Sequence, residues 1–453
     1  MTKINRPISG ATVCLLLLLH ASLTLADSVD NYIRTEMANQ RLPGLALAVI
    51  RDGEPVKVKT YGLANVELNV PLTPDTVFRL ASLSKQIIAA GVMLLVGDGK
   101  LQLTDPVCQY LEDCPESWRP ITIRQALTHT AGLIHDAPGY DPLATGGTDF
   151  AAGIRKAYDR PLLFKPGERW AYSNLDYAVL IQAIQIASGR PWPEFFQERI
   201  FKPLGMTATR TADGMGIVPN RANGYLFRDG QQQNVVPLLA IRPGAAFLTT
   251  LNDMIKWDAA LTAGKLITPS MRDQMWTPAM LPDGSSTRYG FGWWIDEVGG
   301  HRRMRHGGSN PGWRTEYSRF VDDRINVIVL VNGDSARPDA IAVEVANHYI
   351  PGLSPERKAI VLAPTALAAY AGRYEVTPTN VLTIAVDGPG LSIQSSEGGP
   401  ECRMLPETSS VFFISKDESY VFNRDADKVT QLEIRFGTAA VPGATEAKAT
   451  RLP

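Results

Sequence analysis

Three short motifs contain the side chains that acyl transfer through a serine requires. They occur in the order Ser82-Leu83-Ser84-Lys85, Tyr172-Ser173-Asn174 and His306-Gly307-Gly308. A serine hydroxyl is a poor nucleophile at neutral pH, so a base must take its proton as it attacks a carbonyl, and the resulting oxyanion needs fixed donors. Lys85 and Tyr172 are the available bases. The motifs therefore predict a hydrolase that acts through an activated serine, Ser82.

The segment that follows Ser82 determines where its hydroxyl lies relative to Lys85. In a helix that begins near Ser82, residues three apart share a face, which brings the Lys85 amine beside the hydroxyl. Residues 86–96 are almost entirely apolar, and this predicts a helix buried in the core. The N-terminus of such a helix offers backbone N–H groups and the positive end of a dipole where negative charge develops during attack.

Each motif occurs once when every Ser, Tyr and His is scanned for Ser-x-x-Lys, Tyr-x-Asn and His-x-Gly. A lone Ser-x-x-Lys arises by chance about once in a chain of this length. The joint occurrence of all three motifs favours one shared site over coincidence.

The residues around these motifs carry a resemblance to a known superfamily. With Phe78-Arg79-Leu80-Ala81 leading into Ser82, the chain resembles the serine hydrolases of the class C β-lactamase and penicillin-binding-protein superfamily. The resemblance runs from about Leu42 to about Asn347, and it is closest to the D-aminopeptidase and esterase members. Further strings typical of the superfamily are Leu127-Thr128-His129-Thr130-Ala131-Gly132-Leu133, Phe164-Lys165-Pro166-Gly167-Glu168, Phe201-Lys202-Pro203-Leu204-Gly205-Met206, Tyr289-Gly290-Phe291-Gly292-Trp293 and Pro311-Gly312-Trp313.

The resemblance implies catalytic roles for three residues. Ser82 is the expected nucleophile, Lys85 its proton partner, and Tyr172 the general base and leaving-group acid. Which of Lys85 and Tyr172 takes the first proton stays open. The expected mechanism passes through an acyl-enzyme on Ser82.

The resemblance also implies the residues that bind the substrate. Asn174 is expected to hydrogen-bond both the Lys85 amine and a substrate amide oxygen. The backbone N–H groups of Ser82 and Ser309 are the expected oxyanion hole. His306 and Gly308 are expected on the strand that lines the cleft, with glycine there so that a substrate can approach the backbone closely.

One departure from the superfamily pattern bears on the substrate. Its β-lactamases and transpeptidases usually carry Lys-Thr-Gly where this chain has His306-Gly307-Gly308. An imidazole is mostly neutral at pH 7 and offers one donor, whereas an ammonium is a permanent charge with three. The difference favours a D-amino-acid-type peptidase or amidase, or an esterase. A class C-like β-lactamase or penicillin-binding DD-peptidase is the alternative.

A second alternative is a non-hydrolytic sensor of wall peptides or β-lactams. Loss of Ser82, Lys85 or Tyr172 would be its signature, and none is lost. The sequence leaves several properties open: the choice among amide, ester and β-lactam, the stereochemical preference, hydrolysis against transfer, and the oligomeric state.

Composition and charge are those of a large globular enzyme. The chain has 453 residues, of which 45% are hydrophobic and 20% charged, and its formal net charge is −1. Nothing in this balance attracts a polyanion. The expected partner is a small-molecule or short-peptide substrate, with no nucleic acid and no cofactor.

Residues 1–26 have the pattern of a signal peptide. Lys3 and Arg6 precede an apolar run that is too short to span a bilayer comfortably, and Thr24-Leu25-Ala26 offers small residues for cleavage. We therefore expect a periplasmic or secreted protein with no stable membrane insertion after cleavage. In such a compartment Cys108 and Cys114, which enclose five residues, could form a local disulfide.

Two polar clusters allow more than one interpretation. His129 and His135 with Asp136 could suggest a metal site, but His129 falls in the superfamily string, where bracing a helix end is favoured and no matched third ligand exists. The basic run His301-Arg302-Arg303-Met304-Arg305 is either a solvated turn or a source of positive field at the cleft mouth.

Periodicity divides the chain into two folded units after the signal segment. We expect an α/β hydrolase domain over 27–352, in which hairpins at 45–60 and 313–331 build one sheet and the middle of the chain is richer in helix. We expect a small antiparallel β-barrel or sandwich over 365–453, with strands at 381–386, 391–394, 411–415, 420–423 and 431–436. The resemblance implies an antiparallel sheet flanked by helices with a helical lobe for the first unit, and the second resembles the lipocalin-like appendage of some of these hydrolases. Its role could be to wall the cleft, to support oligomerisation or simply to stabilise the chain.

Overall fold

The computed structural model describes residues 28–138, 150–212, 216–228, 230–235, 244–353, 357–377, 380–396, 401–415, 418–425, 428–436 and 445–452. The helices are α1 (28–39), α2 (Ser84–Gly97), α3 (Ile123–Leu127), α4 (Phe150–Arg155), α5 (Asn174–Ser188), α6 (Trp192–Phe196), α7 (Leu251–Ala263), α8 (Pro269–Met275), α9 (Pro338–Asn347) and α10 (Pro364–Ala368). The strands of the first unit are β1 (Gly44–Arg51), β2 (Glu54–Asn65), β3 (Val70–Pro71), β4 (Phe78–Arg79), β5 (Arg210–Thr211), β6 (Tyr225–Arg228), β7 (Gln231–Asn234), β8 (Phe247–Thr249), β9 (Trp294–Val298), β10 (His301–Asn310), β11 (Trp313–Phe320) and β12 (Ile325–Val331).

A seven-stranded antiparallel sheet is the frame of the first unit, with the order β3-β2-β1-β12-β11-β10-β9. It joins β1, from the start of the chain, to β12, from residue 325 onward. In β1, Ala46, Ala48 and Ile50 face one core, and Leu45, Leu47 and Val49 face another. Both faces are covered, so this strand is apolar throughout instead of alternating with polar residues.

Helices cover the two faces unequally. Helices α1 and α9 pack on what we call the back face, and the helical lobe that includes α2 and α5 packs on the front face. Ser84 to Leu95 of α2 are all buried, which confirms the central buried helix predicted from residues 86–96. The predicted α/β fold, a sheet flanked by helices with a helical lobe, is confirmed.

The C-terminal segment forms a closed antiparallel barrel. Its strands are β13 (Gly372–Thr377), β14 (Asn380–Asp387), β15 (Gly390–Ser395), β16 (Cys402–Pro406), β17 (Val411–Ser415), β18 (Glu418–Asp425), β19 (Lys428–Phe436) and β20 (Thr445–Arg451). The sequence predicted a small antiparallel barrel or sandwich, and its five predicted strands correspond to β14, β15, β17, β18 and β19. The strands β13, β16 and β20 were not among them. An ion pair between Arg337, just before α9, and Glu418 of β18 ties the barrel to the first unit.

Two further sequence predictions concern a disulfide and a signal peptide. Cys108 and Cys114 form a disulfide, which confirms the predicted pairing. The predicted signal peptide, residues 1–26, lies outside the described residues. Among the residues that are described, none of the helices combines the length and the apolar character that crossing a bilayer requires.

Candidate active site

Ser82 lies in a 3₁₀ turn, Ala81–Leu83, directly before α2. The helix itself begins at Ser84, two residues later than the position expected from the motif. Ala81 has a φ of 51°, in the left-handed region that residues with a Cβ rarely occupy. The Leu80 N–H donates to the carbonyl of Phe247 at 3.1 Å and fixes the entry to this turn. The result is a tight, anchored turn that leaves Ser82 half-buried.

The Lys85 side chain is completely buried and its amine reaches three oxygen atoms. Lys85 Nζ is 3.2 Å from Ser82 Oγ, 2.8 Å from Asn174 Oδ1 and 3.4 Å from the carbonyl oxygen of Gly244. It also lies 4.7 Å from the centre of the Tyr172 ring. The structure thus brings Ser82, Lys85, Tyr172 and Asn174 together, although Tyr172 and Asn174 are some 90 residues away along the chain.

The start of α5 positions Tyr172 and Asn174. The Ser173 side chain accepts the Asp176 N–H at 3.2 Å and caps the helix, so Asn174 is its first residue. Because the helix begins immediately after Ser173, Asn174 is fixed by helical geometry while Tyr172 stays in the extended segment before it. One short motif therefore presents two polar side chains from different backbone conformations.

His129 holds the residues on both sides of Tyr172. Its carbonyl accepts the Ala171 N–H at 3.0 Å and its Nδ1 accepts the Ser173 N–H at 3.3 Å. Its ring centroid is 4.4 Å from that of Tyr172. His129 thus braces Tyr172 at the start of α5, in agreement with the structural role that the sequence favoured.

The His129 ring is also paired with a buried carboxyl group. Its Nδ1 is 2.8 Å from Asp176 Oδ2, and both side chains are almost fully buried. Burial lowers the pKa of His129 well below its usual value and raises the pKa of Asp176 well above its own. Burial thus disfavours the charged form of both groups beside Tyr172.

Strand β10 lies directly against the Ser82 turn. A Cβ at Gly308 would be 2.1 Å from the carbonyl oxygen of Leu80, so this position requires glycine. The Thr315 hydroxyl of β11 donates to the same oxygen at 2.9 Å. Contact with the Ser82 turn is therefore enough to require the glycine, and the expected approach of a substrate to this backbone stays a prediction.

One edge of β10 is open where it passes the serine. Its pairing with β9 ends at Arg305, whereas its pairing with β11 continues to Asn310. Among the described strands, residues 306–310 therefore have a partner on one side only. Ser309 is exposed there, and the edge can accept the extended backbone of a ligand.

A comparison with protein-family models decides the family. The model described as Beta-lactamase matches residues 29–348, which span the sheet, the helical lobe and the Ser82 site. The chain belongs to the beta-lactamase family.

Similar proteins extend this result. Penicillin-binding protein 4* of Bacillus subtilis (strain 168) is 27% identical over 405 residues, which cover 82% of this chain and 88% of that protein. The D-aminopeptidase of Gluconobacter oxydans (strain 621H) is 29% identical over 381 residues, covering 81% and 68%. The structure of the octameric penicillin-binding protein homologue from Pyrococcus abyssi superposes with a TM-score of 0.69 at 22% identity, covering 94% of this chain and all of that one, and so shares its fold.

His306 differs in chemistry from the lysine that β-lactamases of this superfamily usually carry. Its Nδ1 is 2.6 Å from the Gly307 carbonyl, which can only accept, so Nδ1 carries the hydrogen. Its Nε2 then accepts the Tyr289 hydroxyl at 3.0 Å. Burial, and next the charge of Lys85, lower the pKa of His306 to about 3. His306 therefore lines the site as a neutral imidazole, and both of its ring nitrogens are already hydrogen-bonded.

The basic run before His306 is a strand and not a solvated turn. Residues 301–305 belong to β10. Arg303 and Arg305 both bind Asp296 of β9, with N–O distances of 2.8 Å. Arg302 pairs with Asp322. The interpretation as a solvated turn was wrong because the run pairs as a strand. The interpretation as a source of positive field at the cleft stays a prediction.

Two glycines of the site were not predicted. Gly244, whose carbonyl accepts from Lys85, has a φ of 75°, and a Cβ there would be 2.5 Å from Lys85 Nζ. Gly292 has a φ of 78°, and a Cβ there would be 2.8 Å from the backbone of Lys85. The Pro243-Gly244 turn dipeptide was the available signal for the first.

The two histidines considered for a metal do not converge on one point. His129 pairs with Asp176, whereas His135 pairs with Asp136 at 2.7 Å. No group of three or more His, Cys, Asp or Glu within the described ranges has the geometry to hold a metal ion. The Asp136 side chain instead contacts Asn174 of the Ser82 site.

Proposed function

We propose that this protein hydrolyses amide or ester bonds through an acyl-enzyme on Ser82, as a D-amino-acid-type peptidase or amidase, or an esterase. The observation that carries the proposal is the position of the Lys85 amine, 3.2 Å from Ser82 Oγ and 4.7 Å from the centre of the Tyr172 ring. A base adjoining both a serine and a phenol is what serine activation requires.

In the first step Ser82 Oγ attacks the substrate carbonyl carbon while its proton passes to the pair formed by Lys85 and Tyr172. The backbone N–H groups of Ser82 and Ser309 stabilise the oxyanion. Tyr172 returns the proton to the leaving amine or alcohol as the C–N or C–O bond breaks. The product of this step is an ester between Ser82 and the acyl group.

In the second step water attacks that ester and gives its proton to the same pair. The oxyanion forms again in the same position, and collapse releases a carboxylic acid and restores the Ser82 hydroxyl. The open edge of β10 beside Ser82 supports binding of an extended acyl donor in both steps.

The substrate class is argued from His306 and from the relatives. A neutral imidazole with both nitrogens engaged gives no cation to hold the carboxylate of a β-lactam. The D-aminopeptidase of Gluconobacter oxydans matches 81% of this chain. The similarity to penicillin-binding protein 4* over 82% of the chain supports penicillin binding as the second candidate function.

The test is a substrate panel on the purified protein, with Ser82→Ala as the matched control. It contains nitrophenyl esters, D- and L-amino-acid amides and nitrocefin, together with a fluorophosphonate probe that labels reactive serines. We expect labelling and turnover of esters or D-amino-acid amides, both lost in the control, and slow or no nitrocefin turnover. Labelling without turnover of any substrate would indicate a sensor, and absence of labelling would exclude the proposed chemistry.

We also propose that residues 1–26 direct export to the periplasm or the medium. The Cys108–Cys114 disulfide supports an oxidising compartment. N-terminal sequencing of the protein recovered from the periplasm or medium is expected to begin at Asp27. Recovery of the uncleaved chain from the cytoplasm alone would exclude export.

A further inference from the structure

The Asn174 side chain makes two hydrogen bonds of opposite polarity. Its Oδ1 accepts from Lys85 Nζ at 2.8 Å, and its Nδ2 donates to Asp136 Oδ1 at 3.0 Å. The amide group has one acceptor atom and one donor atom, and rotation by 180° exchanges them. Which atom faces Lys85 therefore depends on what lies on the other side of the amide.

Asp136 determines that orientation. A carboxylate only accepts hydrogen bonds and a lysine amine donates them, so one orientation of the Asn174 amide satisfies both neighbours. In the opposite orientation the NH₂ group would face the Lys85 amine and Oδ1 would face the carboxylate. Lys85 would then lose its shortest hydrogen bond, and both contacts would be repulsive.

The backbone around Asp136 is fastened to the same helix start. The Ser173 hydroxyl donates to the carbonyl of Ile134 at 2.7 Å, and the Asn174 N–H donates to the carbonyl of His135 at 2.7 Å. The His135 ring binds the second oxygen of Asp136 at 2.7 Å. These bonds fix the Asp136 carboxylate relative to α5 from two directions.

We propose that Asp136 is a positioning residue of the reaction. It sets the Asn174 amide so that Oδ1 holds Lys85 Nζ beside Ser82 Oγ, and His135 in turn holds Asp136. Its effect reaches the reacting atoms through Asn174 and Lys85. The inference rests on the proposed function for its kinetic readout only, since the arrangement itself can be observed without a substrate.

The kinetic test compares Asp136→Ala, Asp136→Asn and Asp98→Ala. Asp136→Ala removes the acceptor, whereas Asp136→Asn keeps an oxygen that can accept from Asn174. Asp98 is the matched control because its side chain is 33% exposed, against 28% for Asp136, and it pairs with Arg199 elsewhere. Rates are expressed per serine labelled by the fluorophosphonate probe, so that loss of folded protein does not count as loss of activity.

We expect Asp136→Ala to lower kcat by about tenfold to a hundredfold with KM changed by less than about twofold, since misplacement of a reacting group has effects of that size. Asp136→Asn, which keeps an acceptor for Asn174, and Asp98→Ala should stay within about threefold of the wild type. A wild-type kcat in Asp136→Ala, or an equal loss in Asp136→Ala and Asp136→Asn, would overturn the proposal.

Crystal structures of the wild type and Asp136→Ala give the second readout. We expect Lys85 Nζ to leave hydrogen-bond range of the Asn174 side chain when the carboxylate is absent. An unchanged Lys85 to Asn174 contact would overturn the positioning role. A wild type that turns over no substrate would instead overturn the proposed function, and the crystal structures would still decide the role of Asp136.

Discussion

Two buried basic side chains lie on the front face of the sheet, and they are held in different ways. Lys85 hydrogen-bonds to three neutral oxygen atoms, from Ser82, Asn174 and Gly244. Arg319 of β11 binds the carboxylate of Asp258 from α7 at 2.8 Å. Asp258 is completely buried and also accepts from Tyr317 and Asn326.

The difference separates a reactive cluster from a structural cluster. The reactive cluster is Ser82, Lys85, Tyr172 and Asn174, and the structural cluster is Asp258, Tyr317, Arg319 and Asn326. A carboxylate at hydrogen-bond distance compensates the charge of Arg319 and fixes α7 against β11, so the pair joins two elements of the fold. The three acceptor oxygens of Lys85 carry no formal charge, and they hold its amine beside Ser82 and Tyr172. Burial also raises the pKa of the neighbouring Asp176, which disfavours a carboxylate charge there.

Removing the serine breaks the reactive cluster and should have the largest effect. We expect Ser82→Ala to lower kcat for a nitrophenyl ester by about 10⁴-fold or more, because the acyl-enzyme cannot form. The unfolding free energy should change little, since the half-buried hydroxyl is small. Activity close to the wild type in Ser82→Ala would show that another nucleophile performs the reaction.

Removing the carboxylate breaks the structural cluster and should affect stability instead. Asp258→Ala leaves Arg319 buried without its ion-pair partner, which costs about 3–5 kcal/mol of unfolding free energy. Urea unfolding measures this loss, and kcat per labelled serine should stay within about twofold of the wild type because Ser82 is untouched.

The matched control for Asp258→Ala is Asp98→Ala, which breaks a partly exposed pair with Arg199. A pair of that kind contributes about 1 kcal/mol or less. Equal losses of stability in the two variants would contradict the structural role assigned to Asp258.

Exchanging the Asn174 amide and the Asp136 carboxylate tests whether the side chain that faces Lys85 must be uncharged. In the double variant Asn174→Asp/Asp136→Asn, composition and net charge are unchanged, but a carboxylate now faces Lys85 as one faces Arg319. We expect the fold to persist and kcat to fall by about a hundredfold, the usual size of a general-base contribution. A double variant as active as Asp136→Asn alone would show that the neutrality of the acceptor is unimportant.

The sequence predicted the reactive cluster better than the structural one, for a physical reason. Ser82 and Lys85 are three residues apart before an apolar helix, so local geometry alone brings them together. Asp258 is 59 residues from Tyr317 and 68 from Asn326, and no local rule says which helix packs on which strand. Family motifs supplied Tyr172 and Asn174, but Asp136 and Gly244 reach the site only through tertiary packing.

The C-terminal barrel also contains strands that local sequence patterns do not predict. β14 and β15 alternate apolar and polar residues around the Asp387-Gly388 turn and were predicted. β16 ends in Pro406 and β20 contains Thr445-Glu446-Ala447-Lys448, so neither has a clear apolar alternation. Closure of the barrel, which requires a partner for β13 and β19, determines β20 instead.

His306 makes the comparison depend on pH, and its effect per pH unit should be smaller than the loss expected in Asp258→Ala. Its pKa in the folded protein is about 3, far below the usual 6.5, because burial and Lys85 disfavour the charged form. The unfolded chain therefore binds more protons than the folded one between these values. Stability is fully present above about pH 6.5 and falls as the pH decreases towards 3, by about 1.4 kcal/mol per pH unit for this group.

Urea unfolding at pH 7, 6, 5 and 4 measures this slope in the wild type and in His306→Gln. The glutamine variant should lose less stability on acidification, because it has no group to protonate at that position. Trp294→Phe alters a neighbouring ring without removing a titratable group, so it should keep the wild-type slope. If His306→Gln keeps that slope as well, His306 is not the buried neutral group that the hydrogen bonds to Tyr289 and Gly307 require, and a charged His306 could then hold a substrate carboxylate as a lysine does.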